Sequence, residues 1–525
     1  MSTESPERTS ARPEGAAPAA PDAAPVASKR TILFIFIGLM VTMLLSSLDQ
    51  TVFSTALPTI VGELNGVDHM LWVTTGYILA STIVMPIYGK LGDTIGRKGL
   101  FLAAVGIFIA GSIVGGMADS MAWLIAGRAI QGLGGGGLII LSQAIIADVV
   151  PARERGKYMG VMGGVFALSA VLGPILGGWF TEGIGWRWAF WINVPLGLLA
   201  MAMAAVFIRL PKRDTHRPTL DVLGIVFMAI AAASIVLVTS WGGTEYDWNS
   251  PLIIGLIVSA VVGSVLFVLA ERRAAEPIIP LHLFRDRNFN LATIGGLALA
   301  VAMFGSIAYL PTYLQMVHSV NATEAGLMLL PLMAGLMISA IGSGQLASRS
   351  GRYKWMPITG AVIMAIALTL LSTLQTTTSI VVLGVFIFVL GFGIGLGMQI
   401  LVLIVQNAFP REVGTATAAN NFFREIGASI GTAIVGALFT NRLTELLSER
   451  LPAGAADAGV SENSLTPSVV AKLPDAISGP IIASYNDSLT PVFLYLAPVL
   501  LAAAIVLAFV KERPLDTSIG EGVGH

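Results

Sequence analysis

The chain has 525 residues, 55% of them hydrophobic and only 12% charged, with a formal net charge of −1 and a mean hydropathy of +0.81. A soluble domain carries about 25% charged residues, so this composition excludes a soluble globular protein and describes one that crosses a membrane many times. The absence of cysteine excludes disulfides, thiolate metal sites and thiol nucleophiles.

Residues 1–28 are rich in Ala, Pro, Ser and Glu and lack an apolar core. They predict a disordered tail rather than a signal peptide, which makes the first span its own insertion signal. Apolar runs long enough to cross a bilayer as helices then predict spans at 32–57, 71–90, 99–117, 121–148, 157–180, 188–209, 221–241, 252–271, 289–316, 324–347, 355–374, 379–407, 414–440 and 490–510. The fold class expected is an all-α polytopic membrane protein with 14 transmembrane helices. Of the 30 Lys and Arg, 24 fall in one set of alternate connecting segments and four in the other. The positive-inside rule then places both termini in the cytoplasm. Between the last two spans an outer loop, 441–489, is expected to be polar and mobile.

A short pattern recurs. Gly89-Lys90-Leu91 is followed by Gly96-Arg97, and Gly344-Gln345-Leu346 by Gly351-Arg352, 255 residues later, each after an outer-to-inner span. A fixed spacing repeated at this distance indicates two related halves. The expected organisation is a tail at 1–30, a six-helix half at 31–210, two inserted helices with linkers at 211–287, a second six-helix half at 288–512, and a tail at 513–525. The second copy carries Ser348 where the first has Asp93, so the halves are not equivalent.

Charges inside spans cost several kcal/mol when unpaired, roughly 2.5–3.5 on the insertion scale, and mark ion or proton pathways by default. Asp49 lies deep in the first span and Arg128 in the fourth. At a 1.5 Å rise per residue both sit about 10–12 Å below the outer surface. Equal depth predicts that they pair, and a helix motion that changes their separation would change proton affinity. The plainer alternative is a static ion pair between helices one and four. Glu425, beside Arg424 in span thirteen, is either a second proton or cation site or a packing ion pair. Successive helix residues point about 100° apart, so the two neighbours do not simply neutralise each other.

Several motifs together resemble one family. The loop Gly89–Lys98 resembles the signature loop of the major facilitator superfamily. Leu48–Pro58, with Asp49-Gln50-Thr51, resembles the first-helix motif of its fourteen-helix drug:proton antiporters. Trp72–Tyr77, Arg128–Gly136, Gly164–Gly178, Trp186–Pro195 and Asn421–Gly427 are similar to further motifs of that branch, and the resemblance runs from about residue 30 to 512. It implies proton-coupled export of hydrophobic, amphipathic or monocationic small molecules by alternating access, in the cell membrane, by a monomer. Asp49, Arg128 and Glu425 would couple protons. Asp49, Phe53, Gln131, Phe166, Tyr309, Tyr313, Asn407 and Asn421 would line a cavity between the halves. Asp93 would dock near Gly414 at the N-terminus of span thirteen, and Arg97 would pair with it or with Asp148, forming a conformational latch. Gly173-Pro174 and Gly177 would form a hinge in span five, with simple packing as the alternative. The tenth span lacks the mid-helix acid of some quaternary-ammonium pumps, which weighs against dicationic cargo.

The remaining signals are exclusions. Gly132, Gly134 and Gly137 match G-x-G-x-x-G but lie inside a membrane span without a preceding strand, so close helix packing explains them. The five histidines show no metal spacing, no Walker loop exists, and no cofactor or nucleic-acid partner is expected. The rival readings are an exporter dedicated to one endogenous metabolite, antibiotic or lipid and, more remotely, a membrane enzyme, for which no nucleophile–base or metal constellation is present.

Overall fold

The computed structural model describes residues 29–64, 66, 69–208, 219–243, 245–451, 466–470 and 473–517. The expected tails, apart from their innermost residues, the linker 209–218, and residues 452–465 and 471–472 of the outer loop lie outside the described residues. Within them the chain is helical: α1 (Lys29–Glu63), α2 (Met70–Ile95), α3 (Arg97–Gly116), α4 (Met121–Val149), α5 (Ala152–Trp179), α6 (Trp188–Trp191), α7 (Asn193–Phe207), α8 (Val222–Trp241), α9 (Pro251–Arg273), α10 (Arg287–Ile307), α11 (Leu310–His318), α12 (Ala322–Met328), α13 (Leu330–Ser350), α14 (Trp355–Leu371), α15 (Ile380–Ala408), α16 (Val413–Arg450), α17 (Pro467–Val470) and α18 (Asp475–Ala508). Thirteen helical stretches among the described residues are long and apolar enough to cross a membrane. The expected span 355–374 is the shorter apolar helix α14, 17 residues long.

Breaks within spans follow backbone chemistry. The ninth and tenth expected spans each divide just before a proline, Pro311 and Pro331, at the first turns of α11 and α13. Proline has no N–H to donate and is favoured at a helix start. The expected outer loop is corrected by the structure: α16 continues to Arg450 and α18 begins at Asp475, leaving only 451–474 between them. Leu446, Leu447 and Ile481 are buried where these extensions pack, and Arg450 pairs with Asp487 at 2.8 Å. The polar face of each extension hides this helical pattern from a hydropathy window.

α1 to α7 and α10 to α18 form two bundles that meet along α2 on α16 and along α5 on α13. The repeated glycines stand at these crossings. A Cβ on Gly89 would lie 2.6 Å from the Gly414 carbonyl oxygen, and a Cβ on Gly344 would lie 2.1 Å from that of Gly156. Only glycine permits such backbone approach, so the repeat marks matched seams between the halves. The hairpin α8–α9 is not a detached spacer: α8 packs against both α2 and α16, and Trp241 meets Trp72 edge-on, with ring centroids 5.2 Å apart. At the face away from the Arg-rich linkers, α1 ends at Glu63. Its carboxylate accepts from Arg187 at 2.6 Å and Trp186 at 2.8 Å, and these bonds hold it below the usual carboxylate range.

Overpacking of a close crossing costs typically 1–3 kcal/mol. Gly344→Val should therefore disfavour closure of the halves at the Arg-rich face by roughly 5- to 150-fold. Single cysteines introduced into the cysteine-free chain would report this as increased labelling from that face.

Candidate functional site

Asp49 is buried, 2% exposed, and occupies a polar knot built by five helices. Its Oδ2 accepts from Arg128 Nη1, and its Oδ1 accepts from Gln131 Nε2 at 3.0 Å and Asn193 Nδ2 at 3.1 Å. Arg128 also donates to Gln131 Oε1 at 2.8 Å and to the Val73 carbonyl at 3.4 Å. Ser112 accepts from Gln131 at 2.8 Å. The guanidinium carbon lies 4.3 Å from the centre of the Phe53 ring and 4.5 Å from that of Tyr77. The equal depth read from the sequence thus corresponds to a direct pair. A buried pair is tolerated when its remaining donors and acceptors are satisfied, and here amides and rings complete it.

Beside the knot lies a cavity of about 980 Å³ between the halves. α1 presents Ser47, Gln50 and Thr51 to it, α5 Phe166, and α16 Arg424, Glu425 and Thr432. The inserted α8 adds Val236, Thr239 and Ser240. The wall also includes Leu71, Gly242 and Thr440, near the helix ends remote from the Arg-rich linkers, so the space extends toward that opposite face. Of the residues expected to line a cavity, Phe166 and Tyr309 do so; Tyr309 also donates to the Thr432 carbonyl at 3.0 Å.

The other expected wall residues lie elsewhere. Asp49 and Gln131 are sealed in the knot by their mutual hydrogen bond, and Phe53 lies under Arg128. Tyr313 is buried in the second half, donating to Asn486 at 2.8 Å. Asn407 sits at the Arg-rich face and donates to the Pro514 carbonyl at 3.4 Å. Asn421 is enclosed between the halves, donating to Gln143 Oε1 at 3.0 Å. For all of these but Asn407, which lies at the very end of its span, depth was readable from sequence but direction around the helix axis was not. Tyr77 and Asn193 entered the sequence reading only as members of family motifs, with no site role, and Ser112 was not singled out; the sign available was a polar residue within an apolar run. Gly173 and Gly177 bring α5 onto α1: a Cβ on either would strike Thr51 Oγ1 at 2.1 Å or the Val52 carbonyl oxygen at 2.8 Å. Pro174 follows at the same crossing, and α5 passes into a π-helical turn at Phe180–Ile184.

The Arg-rich face is clasped. Asp93 Oδ1 accepts from Gly414 N at 3.1 Å, and its Oδ2 accepts from Thr415 N at 2.7 Å and Thr415 Oγ1 at 2.9 Å. Arg97 pairs with both Asp93 at 2.6 Å and Asp148 at 2.5 Å. Across the twofold-like seam, Ser348 Oγ accepts from Lys157 N at 3.0 Å, and Arg153 donates to the Ser348 carbonyl at 3.1 Å. One clasp is built on a carboxylate, and its counterpart on the neutral Ser348 hydroxyl and the Arg153 guanidinium.

Two helical halves, a central cavity and glycine-lined seams define a membrane transporter built of two halves. Residues 39–432 match the family model for the Major Facilitator Superfamily, and the chain belongs to that family. It is 36% identical over 94% of its length to the multidrug transporter protein MdtP of Bacillus subtilis, covering 95% of that protein. It is 35% identical, again over 94% of its length, to multidrug resistance protein 3 of the same organism, covering 98% of it. The fold superposes on the human organic anion transporter MFSD10 with a TM-score of 0.59 at 15% identity, over 92% of this chain and all of that one. The chain is thus a multi-pass membrane protein with relatives named as multidrug transporter and multidrug resistance proteins.

Proposed function

We propose that the protein is a proton-coupled antiporter that exports hydrophobic, amphipathic or monocationic small molecules across the cell membrane by alternating access. In this reading fourteen helices span the bilayer, both termini are cytoplasmic, and the molecule acts as a monomer. The observation that carries it is the buried Asp49–Arg128 pair on a helix that also forms the cavity wall. Protonation of Asp49 would cancel its attraction for Arg128 and weaken its bonds from Gln131 and Asn193. Arg128 would remain held by the Val73 carbonyl and two aromatic faces. α1 would then be free to shift against α4, carrying Ser47, Gln50 and Thr51 with it. The multidrug transporter and multidrug resistance relatives support an exporter, and the mostly apolar, hydroxyl-dotted cavity wall supports amphipathic cargo. With the Asp93 clasp closed on the cytoplasmic side, the described conformation corresponds to the outward-facing state. Gly173, Pro174 and Gly177 would serve as the point where α5 bends between states.

In everted vesicles, an amphipathic fluorescent monocation should accumulate when the lumen is made acidic. Accumulation should vanish when the pH gradient is collapsed and should not be restored by ATP alone. Accumulation insensitive to the gradient would reject the antiport reading.

A further inference from the structure

Arg424 and Glu425 are the two charged side chains in the cavity wall. Each feels the other's charge, yet among the described residues neither makes an ion pair or hydrogen bond. Adjacent on α16, they project about 100° apart and flank the strip formed by Ala428, Ser429 and Thr432. The knot around Asp49 satisfies its guanidinium with a carboxylate, an amide and two rings. The cavity leaves its own guanidinium and carboxylate without a hydrogen-bonded partner among the described residues, in a space of about 980 Å³ lined mainly by apolar groups. Leaving charges unpaired in such surroundings is costly, and bound cargo is the partner the geometry allows.

We propose that Arg424 and Glu425 form a divided charge site that selects amphipathic zwitterions, with Arg424 taking the anionic group and Glu425 the cationic one. A monocation satisfies Glu425 and leaves Arg424 unpaired; a monoanion does the reverse; a zwitterion satisfies both. An apolar body between or beside the two groups would lie against Phe166, Phe304 and Tyr309. Arg424 is thus a specificity residue, and the inference rests on the reading of this cavity as the cargo site.

The test uses the purified full-length protein in detergent and four fluorescent probes that share one aromatic body and carry no charge, an ammonium, a carboxylate, or both. Equilibrium binding is measured for each. The wild type should bind the zwitterion most tightly. A hydrogen bond to a charged group supports about a tenfold or larger loss on removal, so Arg424→Gln should weaken zwitterion binding by at least about tenfold and tighten monocation binding. Glu425→Gln should move the preference toward the carboxylate probe. Arg424→Lys, which keeps the positive charge, should retain the zwitterion's advantage over the monocation. Equal effects of Arg424→Gln on all four probes, or a wild type that does not prefer the zwitterion, would overturn the proposal. Failure of gradient-driven monocation accumulation by the wild type would instead reject the antiport function, leaving the binding preference to be judged by itself.

Discussion

Asp49→Asn should abolish gradient-driven export, because amide and carboxylate are nearly isosteric but the amide carries no titrating proton. The structure adds a second effect. Arg128 is 1% exposed, and removing one partner of a buried pair typically costs 3–5 kcal/mol because the other charge is stranded. Against a typical stability of about 5–15 kcal/mol, that loss should reduce folded yield visibly. The double variant Asp49→Asn with Arg128→Gln separates the two effects. It removes both charges, so yield and thermal stability should recover much of the deficit while proton-driven export stays absent. Each quantity has its own assay, fluorescence-detected chromatography for folding and vesicle accumulation for coupling. Export restored in the double variant would assign Asp49 to a static pair between α1 and α4.

How far the site was legible beforehand depended on the kind of information involved. Depth along a helix follows from counting residues, so the pairing of Asp49 with Arg128 could be read from one dimension. The docking of Asp93 at Gly414 was readable because the motif's family geometry supplied the partner. Rotation about the axis could not be read: span helices of this chain are apolar on nearly every side, leaving no polar stripe to orient them. Gln131 and Phe53 were therefore assigned to the cavity although they face Asp49 and Arg128. Tyr313 failed for the same reason, whereas Asn407, the last residue of its expected span, failed on depth, lying at the Arg-rich face away from the cavity. The extensions Asn441–Arg450 and Asp475–Leu489 escaped because they are amphipathic helices outside the apolar windows, although Leu443, Leu446 and Leu447 hold helical spacing. The seat of α8 between α2 and α16 is a tertiary fact with no local signature. Its consequence is that the insert forms cavity wall.

The asymmetry of the two clasps leads to the second large effect. Asp93 gathers two backbone N–H groups and a hydroxyl at the start of α16 and is tied to Arg97, itself 2% exposed. An anion at a helix N-terminus contributes about 0.3–1 kcal/mol when exposed and up to about 2 when partly buried. Asp93 is mostly buried, with 8% of its side chain exposed, so the upper end applies. Asp93→Asn keeps a side-chain acceptor but loses the charge, and it leaves Arg97 with Asp148. The ratio of molecules open to molecules closed at the Arg-rich face should rise toward the upper end of a roughly 2- to 30-fold range. Turnover should slow, because the outward-facing state is reached less often, while equilibrium binding of cargo persists. Ser348→Ala is the matched control. It removes a neutral bond, worth about 0.5–1.5 kcal/mol, from the corresponding seam, so its shift should be smaller. Labelling of single cysteines placed at the ends of α2 and α16 on the Arg-rich face reads both variants on one scale. Equal shifts would mean that the negative charge of Asp93 adds nothing beyond a hydrogen bond. An unchanged pattern in Asp93→Asn would reduce the loop to an anchor for topology. The expected order, Asp93→Asn above Ser348→Ala above wild type, follows from placing the single anionic clasp on the seam between α2 and α16. That is also the seam on which the inserted α8 rests.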